Sequence, residues 1–424
     1  MKSVACIITF LALQISGLAQ TYFPPATGNW ETITWEEAGL CPDSLPALLN
    51  LLNQEDSKAF ILLYNGKILN ETYFDSFTQD SIWYWASAGK TLTSALIGIA
   101  AEQNGLNLDA SSNTYLGNGW SSLSLTQEDA ITVRHHLTMT TGLDDGVIDN
   151  DCTLPSCLQY LAQPNTRWAY HNAPYTLLDQ ILQGATGFTN NQYFFQKIGT
   201  PCGISGLFVN SGYNKIFYST PRNMAKFGLL LQNEGLWNGT TIIPDTYHAL
   251  MTTLSQTMNE SYGYLTWLNG QSSYMVPESQ WVLPGMMAPH APNESYAALG
   301  KNGQIINVSP NENITWIRMG NGNSSLISLS LWDNIWSKLQ YIQCSNSTEE
   351  LQDTQWVTIK NNGNIPEVYF RNLELNYSLM DVLGRSKEVD PLGTPFLSDL
   401  SNGLYTLSCP SHPEWKMEKI WIQH

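Results

Sequence analysis

Three short stretches of this chain carry residue types that can activate a hydroxyl. The first is Ser87-Ala88-Gly89-Lys90, which follows the aromatic run Trp83-Tyr84-Trp85 and precedes apolar Leu92, Ala95, Leu96 and Ile99 at helical spacing. Residues three apart on a helix share a face, so the Lys90 ammonium can sit beside the Ser87 hydroxyl. A serine hydroxyl is a weak nucleophile until a base takes its proton, and a desolvated amine has a lowered pKa. The start of a helix also aims backbone N–H groups at a developing oxyanion. Taken alone, Ser-x-x-Lys is more commonly an N-cap serine with a solvent lysine in the first turn.

The second stretch is Arg167-Trp168-Ala169-Tyr170-His171-Asn172. Tyr170 and Asn172 are two apart, so an extended or turning segment points both to one side. A phenol beside an ammonium is expected to gain acidity and act as a general base. The Asn172 amide can hold both the Lys90 amine and a substrate carbonyl. His171, lying between them, is expected to face away. A core tyrosine followed by a turn asparagine has the same pattern.

The third stretch is Gly300-Lys301-Asn302-Gly303-Gln304. Lys301 offers a cation to a substrate carboxylate or to the phenolate. Gly303 lets the strand approach a ligand closely. The N–H of Gln304 is the expected second oxyanion donor, beside that of Ser87. A plain hairpin turn would use Asn-Gly equally well.

The elements that must bring these stretches together follow from periodicity. Helices are expected over Pro42–Leu52, from about Ser87 to Asn104 with Gly105 as its stop, and over Leu329–Ile342. Further helical pieces fall near Val133–Thr140, Tyr175–Thr186 and Arg222–Glu234. Ala59–Tyr64 and Lys67–Tyr73, joined by Asn65-Gly66, read as a β-hairpin. Ser295–Val308 and Glu312–Arg318 have a strand pattern. Strands at both ends with helices between them predict an α/β unit, an antiparallel sheet interrupted by an all-helical insertion. A polar linker, residues 345–355, separates this unit from a β-rich module at 356–424, with alternating runs at Trp356–Ile359, Glu367–Phe370, Tyr377–Val382 and Leu404–Ser408.

Taken together, the three stretches resemble the serine β-lactamase-like superfamily, in particular its class C branch, where Tyr-x-Asn is the middle element. That branch also holds penicillin-binding D,D-peptidases, family VIII esterases and 6-aminohexanoate-dimer hydrolases. Ile131–Leu143 is similar to the family's lead-in to its helical domain, Ser219–Gly228 to the segment after it, and Ser261–Trp267 to a strand of its sheet. The resemblance spans roughly Ile33 to Leu339. It implies Ser87 as acylated nucleophile, Lys90 as its activator and Tyr170 as base and later acid. Asn172, Lys301, Gly303 and Gln304 would then bind substrate. The third box reads Lys-Asn-Gly rather than Lys-Thr-Gly or Lys-Ser-Gly, so an esterase or amidase fits more easily than a penicillinase. The alternatives are a muropeptide sensor that does not turn over, and an adhesive protein using the fold as scaffold. The scaffold reading predicts that Ser87, Lys90 and Tyr170 do not converge.

Both ends speak of export. Lys2, an apolar run from Val4 to Leu13 and small residues at Gly17 and Ala19 form a signal-peptide pattern over residues 1–19. No later run of about 18 apolar residues suggests a membrane span. Six Cys follow the signal, and Cys152 and Cys157, flanking Thr-Leu-Pro-Ser, are the best candidate pair. Tyr377–Arg385 with Leu397–Tyr405, and the basic ending Lys416–Ile422, resemble the sorting domain of type IX secretion in Bacteroidetes. This implies a partner in that secretion machinery and a secreted or cell-surface location.

Composition closes off other chemistry. Hydrophobic residues make up 43% of the 424 and the net charge is −17, which supports a folded core and argues against nucleic acid as a partner. Trp85 stands two positions before Ser87, so the Gly-x-Ser-x-Gly elbow of α/β-hydrolases fails. No His-Glu-x-x-His, Cys-x-x-Cys or phosphate-cradling glycine loop occurs, so no cofactor is expected.

Overall fold

The computed structural model describes residues 21–322, 327–340 and 342, together with tail residues 357–360, 367–370, 377–381, 385–389, 403–408 and 418–422. The expected signal peptide, the linker, Cys344 and Cys409 lie outside the described residues. The chain divides into two compact units, residues 1–344 and 345–424.

A six-stranded antiparallel sheet organises the first unit. Its strands are β1 (Ser57–Tyr64), β2 (Lys67–Tyr73), β5 (Trp267–Leu268), β6 (Tyr296–Gly300), β7 (Gln304–Ser309) and β8 (Ile314–Gly320). Their spatial order is β2-β1-β8-β7-β6-β5. The central strands β7 and β8 are buried along their whole length. That requires cover on both faces, and side-chain alternation shows what supplies it. Ile306 of β7 meets Gly228 of helix α4 (Pro221–Gln232). The next residue, Asn307, points the other way and accepts from the indoles of Trp332 and Trp336, at 2.6 and 2.9 Å, on helix α5 (Leu329–Leu339). Helix α1 (Leu45–Gln54) packs beside α5.

Helix α2 (Gly89–Asn104) is buried from Gly89 to Ala100, and Gly105 closes it in a left-handed conformation with φ +68°. It packs on α3 (Asn172–Thr186). The sequence signals placed both helices and the β1–β2 hairpin within a few residues. Two expectations need correction. The insertion is not all-helical, because it carries a hairpin, β3 (Gly206–Ser211) and β4 (Asn214–Ser219), joined by the short strand Trp83–Tyr84. Of Ser261–Trp267 only Trp267 enters the sheet, the rest being a buried connection.

In the second unit Val357–Lys360 pairs with Glu367–Phe370. A four-stranded antiparallel sheet has the order Ser386–Val389, Tyr377–Asp381, Gly403–Ser408, Glu418–Ile422. Among the described residues no helix is long and apolar enough to cross a membrane.

Candidate active site

Ser87 sits in a single 3₁₀ turn, Ala86–Ala88, directly before α2. Two bonds fix that turn to β4: Trp85 N–H donates to the Phe217 carbonyl at 2.8 Å, and its indole donates to Ser219 Oγ at 2.9 Å. Ala86 is held at φ +46°, a left-handed conformation that costs a residue with a side chain. The strain falls on the residue next to the candidate nucleophile. Ser87 itself is half-buried and reaches the cleft.

Lys90, one turn on in α2, is 5% exposed, and its Nζ donates to Ser87 Oγ at 2.9 Å. Burial lowers its pKa from 10.5 to about 7, with a smaller opposing pull from the Asp151 carboxylate. Its ammonium faces the rings of Tyr175 at 4.3 Å and Tyr170 at 5.2 Å. Tyr170 lies within side-chain hydrogen-bonding reach of Ser87. The expectation that Tyr170 gains acidity is overturned. Burial raises its pKa well above the ordinary phenol range, since the site disfavours any charge, and Lys90 meets the ring face rather than pairing with a phenolate. The group poised near neutrality is Lys90.

Asn172 is the first residue of α3 and shares the cleft wall with Tyr170. Its Oδ1 is buried and has no hydrogen-bond partner. His171 is buried and does not line the cleft. Ser87, Lys90 and Tyr170 thus converge, against the scaffold reading.

The third stretch is a hairpin connection. Gly300 opposes Gln304 across β6 and β7, and Lys301-Asn302-Gly303 joins them, with Asn302 and Gly303 at φ +61° and +74°. Lys301 is exposed and lines the cleft. Asn302 Nδ2 donates to the Tyr84 hydroxyl at 2.7 Å, tying the turn to the segment before Ser87. Gly303 lies against no ligand space: an added Cβ would come within 2.3 Å of the Arg318 guanidinium. Gln304 is fully buried, and its amide bridges to Gly320, accepting from its N–H at 3.1 Å and donating to its carbonyl at 2.6 Å. The backbone against the nucleophile belongs instead to Gly300, where a Cβ would lie 3.1 Å from Ser87 N and 2.6 Å from the Trp85 carbonyl. The hairpin shifts the expected contact from Gln304 to its cross-strand neighbour on β6.

Around these residues is a cavity of about 490 Å³. It is also lined by Asp149, Asn150, Asp151, Asn214, Lys215 and Glu278, none of which the sequence patterns singled out. The Asp149–Asp151 loop runs straight into a disulfide between Cys152 and Cys157, the pair chosen from spacing (S–S 2.06 Å, Cα–Cα 5.9 Å). Asn150 Oδ1 accepts from Asn172 N–H at 2.9 Å and so docks the loop on the start of α3. Trp85, Trp168 and Trp267 are core residues rather than cleft walls. Among the described residues no cluster of His, Cys, Asp or Glu fits a metal ion.

The Beta-lactamase family model matches residues 53–339, about two thirds of the chain. A curated uncharacterized protein of Alkalihalophilus pseudofirmus is 23% identical over 305 residues, 62% of this chain and 83% of the relative. Among solved structures, one named as a 6-aminohexanoate-dimer hydrolase of Bacillus anthracis superposes with a TM-score of 0.56 at 18% identity, over 76% of this chain and 89% of that one. A penicillin-binding protein homologue of Caulobacter crescentus gives 0.55 at 14% identity, over 70% and 98%. EstCE1, a hydrolase with promiscuous acyltransferase activity, gives 0.53 at 14% identity, over 72% and 99%.

Proposed function

The chain belongs to the beta-lactamase family, and from that premise we propose that it hydrolyses a small ester or amide through an acyl-enzyme on Ser87. The observation that carries the reading is the 2.9 Å contact between Ser87 Oγ and a buried Lys90 amine with a pKa near 7. About half of that amine is neutral at pH 7 and can take the serine proton as Oγ attacks the carbonyl carbon. The developing oxyanion would sit by the N–H of Ser87, next to the backbone of Gly300. Collapse of the tetrahedral intermediate breaks the bond to the leaving group, which departs with a proton passed from Lys90. The buried Tyr170 stays a neutral phenol and serves as a hydrogen-bonding relay between Ser87 and the leaving group. Water then attacks the acyl carbonyl, giving its proton to the same amine, and the acid leaves with Ser87 restored.

Lys301 supplies a cation at the cleft edge, and the box around it lacks the hydroxyl that a Lys-Thr-Gly or Lys-Ser-Gly box would add. Esters and amides without a carboxylate therefore suit the site better than β-lactams. The test is labelling with a fluorophosphonate, followed by peptide mapping, and a panel of p-nitrophenyl esters, nitrocefin and D-Ala-D-Ala peptides. Label on a residue other than Ser87, or full hydrolysis by Ser87→Ala, would sink the reading.

We also propose that the protein works outside the cell, delivered by its N-terminal signal pattern and a C-terminal sorting module. The Cys152–Cys157 disulfide supports this, since such bonds persist in oxidising compartments. Fractionating a native host that expresses the chain with and without residues 356–424 tests it. The full chain should reach the surface or medium and the truncated one should stay in the periplasm.

A further inference from the structure

Three carboxylates line the cleft, Asp149, Asp151 and Glu278, and none makes an ion pair among the described residues. The cations facing them are weaker than their number suggests. Lys215 Nζ is taken up by the buried Asp179 at 3.1 Å. Lys90 is the reacting amine, bound to Ser87. Lys301 is left at the exposed edge. The unpaired charge of the cleft is therefore negative.

Two atoms sharpen that picture. Asp151 Oδ1 and Asn172 Oδ1 are buried acceptors without a hydrogen-bond partner. Both residues line the cleft beside Lys90. A buried acceptor left without a donor is costly, and a ligand that brings the donor removes the cost. An ammonium brings three donors and the complementary charge.

Asp151 is also held in place ahead of any ligand. The disulfide at Cys152 begins at the next residue. Asp151 N–H donates to Asp149 Oδ1 at 3.1 Å. Asn150 is bonded to α3 twice, through Asn172 N–H at 2.9 Å and through its own carbonyl, which accepts from Ala173 N–H at 3.0 Å. A carboxylate fixed in this way loses little freedom on binding.

We propose that Asp151 is a specificity-determining residue that binds a cationic group, an ammonium, on the substrate beside the scissile carbonyl. The proposal rests on the serine-hydrolase reading and adds the substrate class: amino-bearing esters or amides. Asn172 Oδ1 accepts a second N–H of the same ammonium. Asp149 and Glu278 add long-range attraction at the rim.

The experiment compares ω-aminoacyl p-nitrophenyl esters of three chain lengths with esters that carry methyl in place of the ammonium. The native protein and Asp151→Asn are assayed at pH 7.5. In parallel, the corresponding amides are titrated calorimetrically into Ser87→Ala and into Ser87→Ala/Asp151→Asn. For at least one chain length the native protein should favour the ammonium ester about tenfold in kcat/KM, and Asp151→Asn should bring the ratio to about one. Binding to the Ser87→Ala proteins should show the same preference and the same loss. Equal rates for both ester series in the native protein overturn the proposal and leave the hydrolase reading standing. An Asp151→Asn effect of equal size on both series, with a shifted pH profile, also overturns it, because Asp151 would then act only through Lys90. Selective ammonium binding with no hydrolysis of any ester would uphold the cation site and overturn the hydrolase reading instead.

Discussion

Arg318 and Lys90 are both buried cations, one on β8 behind the β6–β7 turn and the other on α2 at the cleft floor. Arg318 is fully buried and donates to Ser57 Oγ, to the carbonyls of Asn302 and Gly303, and to the carbonyl of Glu55. Burial lowers its pKa only to about 10, so it keeps its charge at neutral pH. Lys90 has one acceptor, the Ser87 hydroxyl, and two aromatic faces, and its pKa falls to about 7. Both are out of water, so burial does not separate them. Their chemistry does first: a guanidinium starts near 12.5 and an ammonium near 10.5, so similar burial leaves the first charged, clasping a turn, and brings the second into the range where it can give and take a proton.

That contrast can be broken most severely at its chemical end. Ser87→Ala should lower kcat/KM by at least about 10³-fold with the fold intact, read by ester hydrolysis and circular dichroism. Lys90→Met should cost a similar factor and yet stabilise the protein. Between pH 7 and 10.5 the unfolded chain binds a proton at Lys90 that the folded chain does not, so stability rises with pH across that window. The gain in Lys90→Met should therefore be largest below pH 7 and shrink above it, measured by melting temperature at pH 6 and pH 9. A melting point that falls at pH 6 would contradict the assignment.

At the structural end, Arg318→Met removes the guanidinium donor from the Glu55 and Gly303 carbonyls and the Ser57 hydroxyl, while the Asn302 carbonyl still accepts from Gly322 N–H, and should cost about 3 kcal/mol in urea unfolding. The activity of the fraction still folded should change far less than in Lys90→Met. A milder probe is pH. The rate should rise along a limb with an apparent pKa of about 7 as Lys90 loses its proton, and fall away on the acid side. A limb near 4 would shift the assignment to a carboxylate. The smallest effect is expected from Cys152→Ser with Cys157→Ser. The closed loop is short, with a separation of 5, so the stability loss should be about 2 kcal/mol at most. KM should rise a few-fold, because the loop carrying Asp151 loosens.

Local signals made much of this legible. Gly105 marks the stop of α2, and Asn65-Gly66 marks the turn between β1 and β2, because only those backbone conformations close such elements. The Ser87–Lys90 contact follows from helical spacing alone. The roles within Lys301-Asn302-Gly303 were not legible. Whether Gly303 meets a ligand or Arg318 is set by a residue fifteen positions later on another strand. Asp151 and Lys215 gave no local signal, since their placement depends on a disulfide and on a hairpin that the composition hid among helices. The acidity of Tyr170 was misjudged because a sequence shows a neighbouring charge but not the loss of solvent, and the latter is the larger influence.

The seam where β6 meets the turn holding Ser87 has a consequence for how this protein can diversify. Any side chain at position 300 would press on the Trp85 carbonyl and the Ser87 amide. New preferences must therefore arise elsewhere around the mouth, in the loops bearing Asp149 and Glu278 and at Lys215 near the start of β4. A mutagenesis library built to retarget the protein should randomise those three positions and hold Gly300 constant.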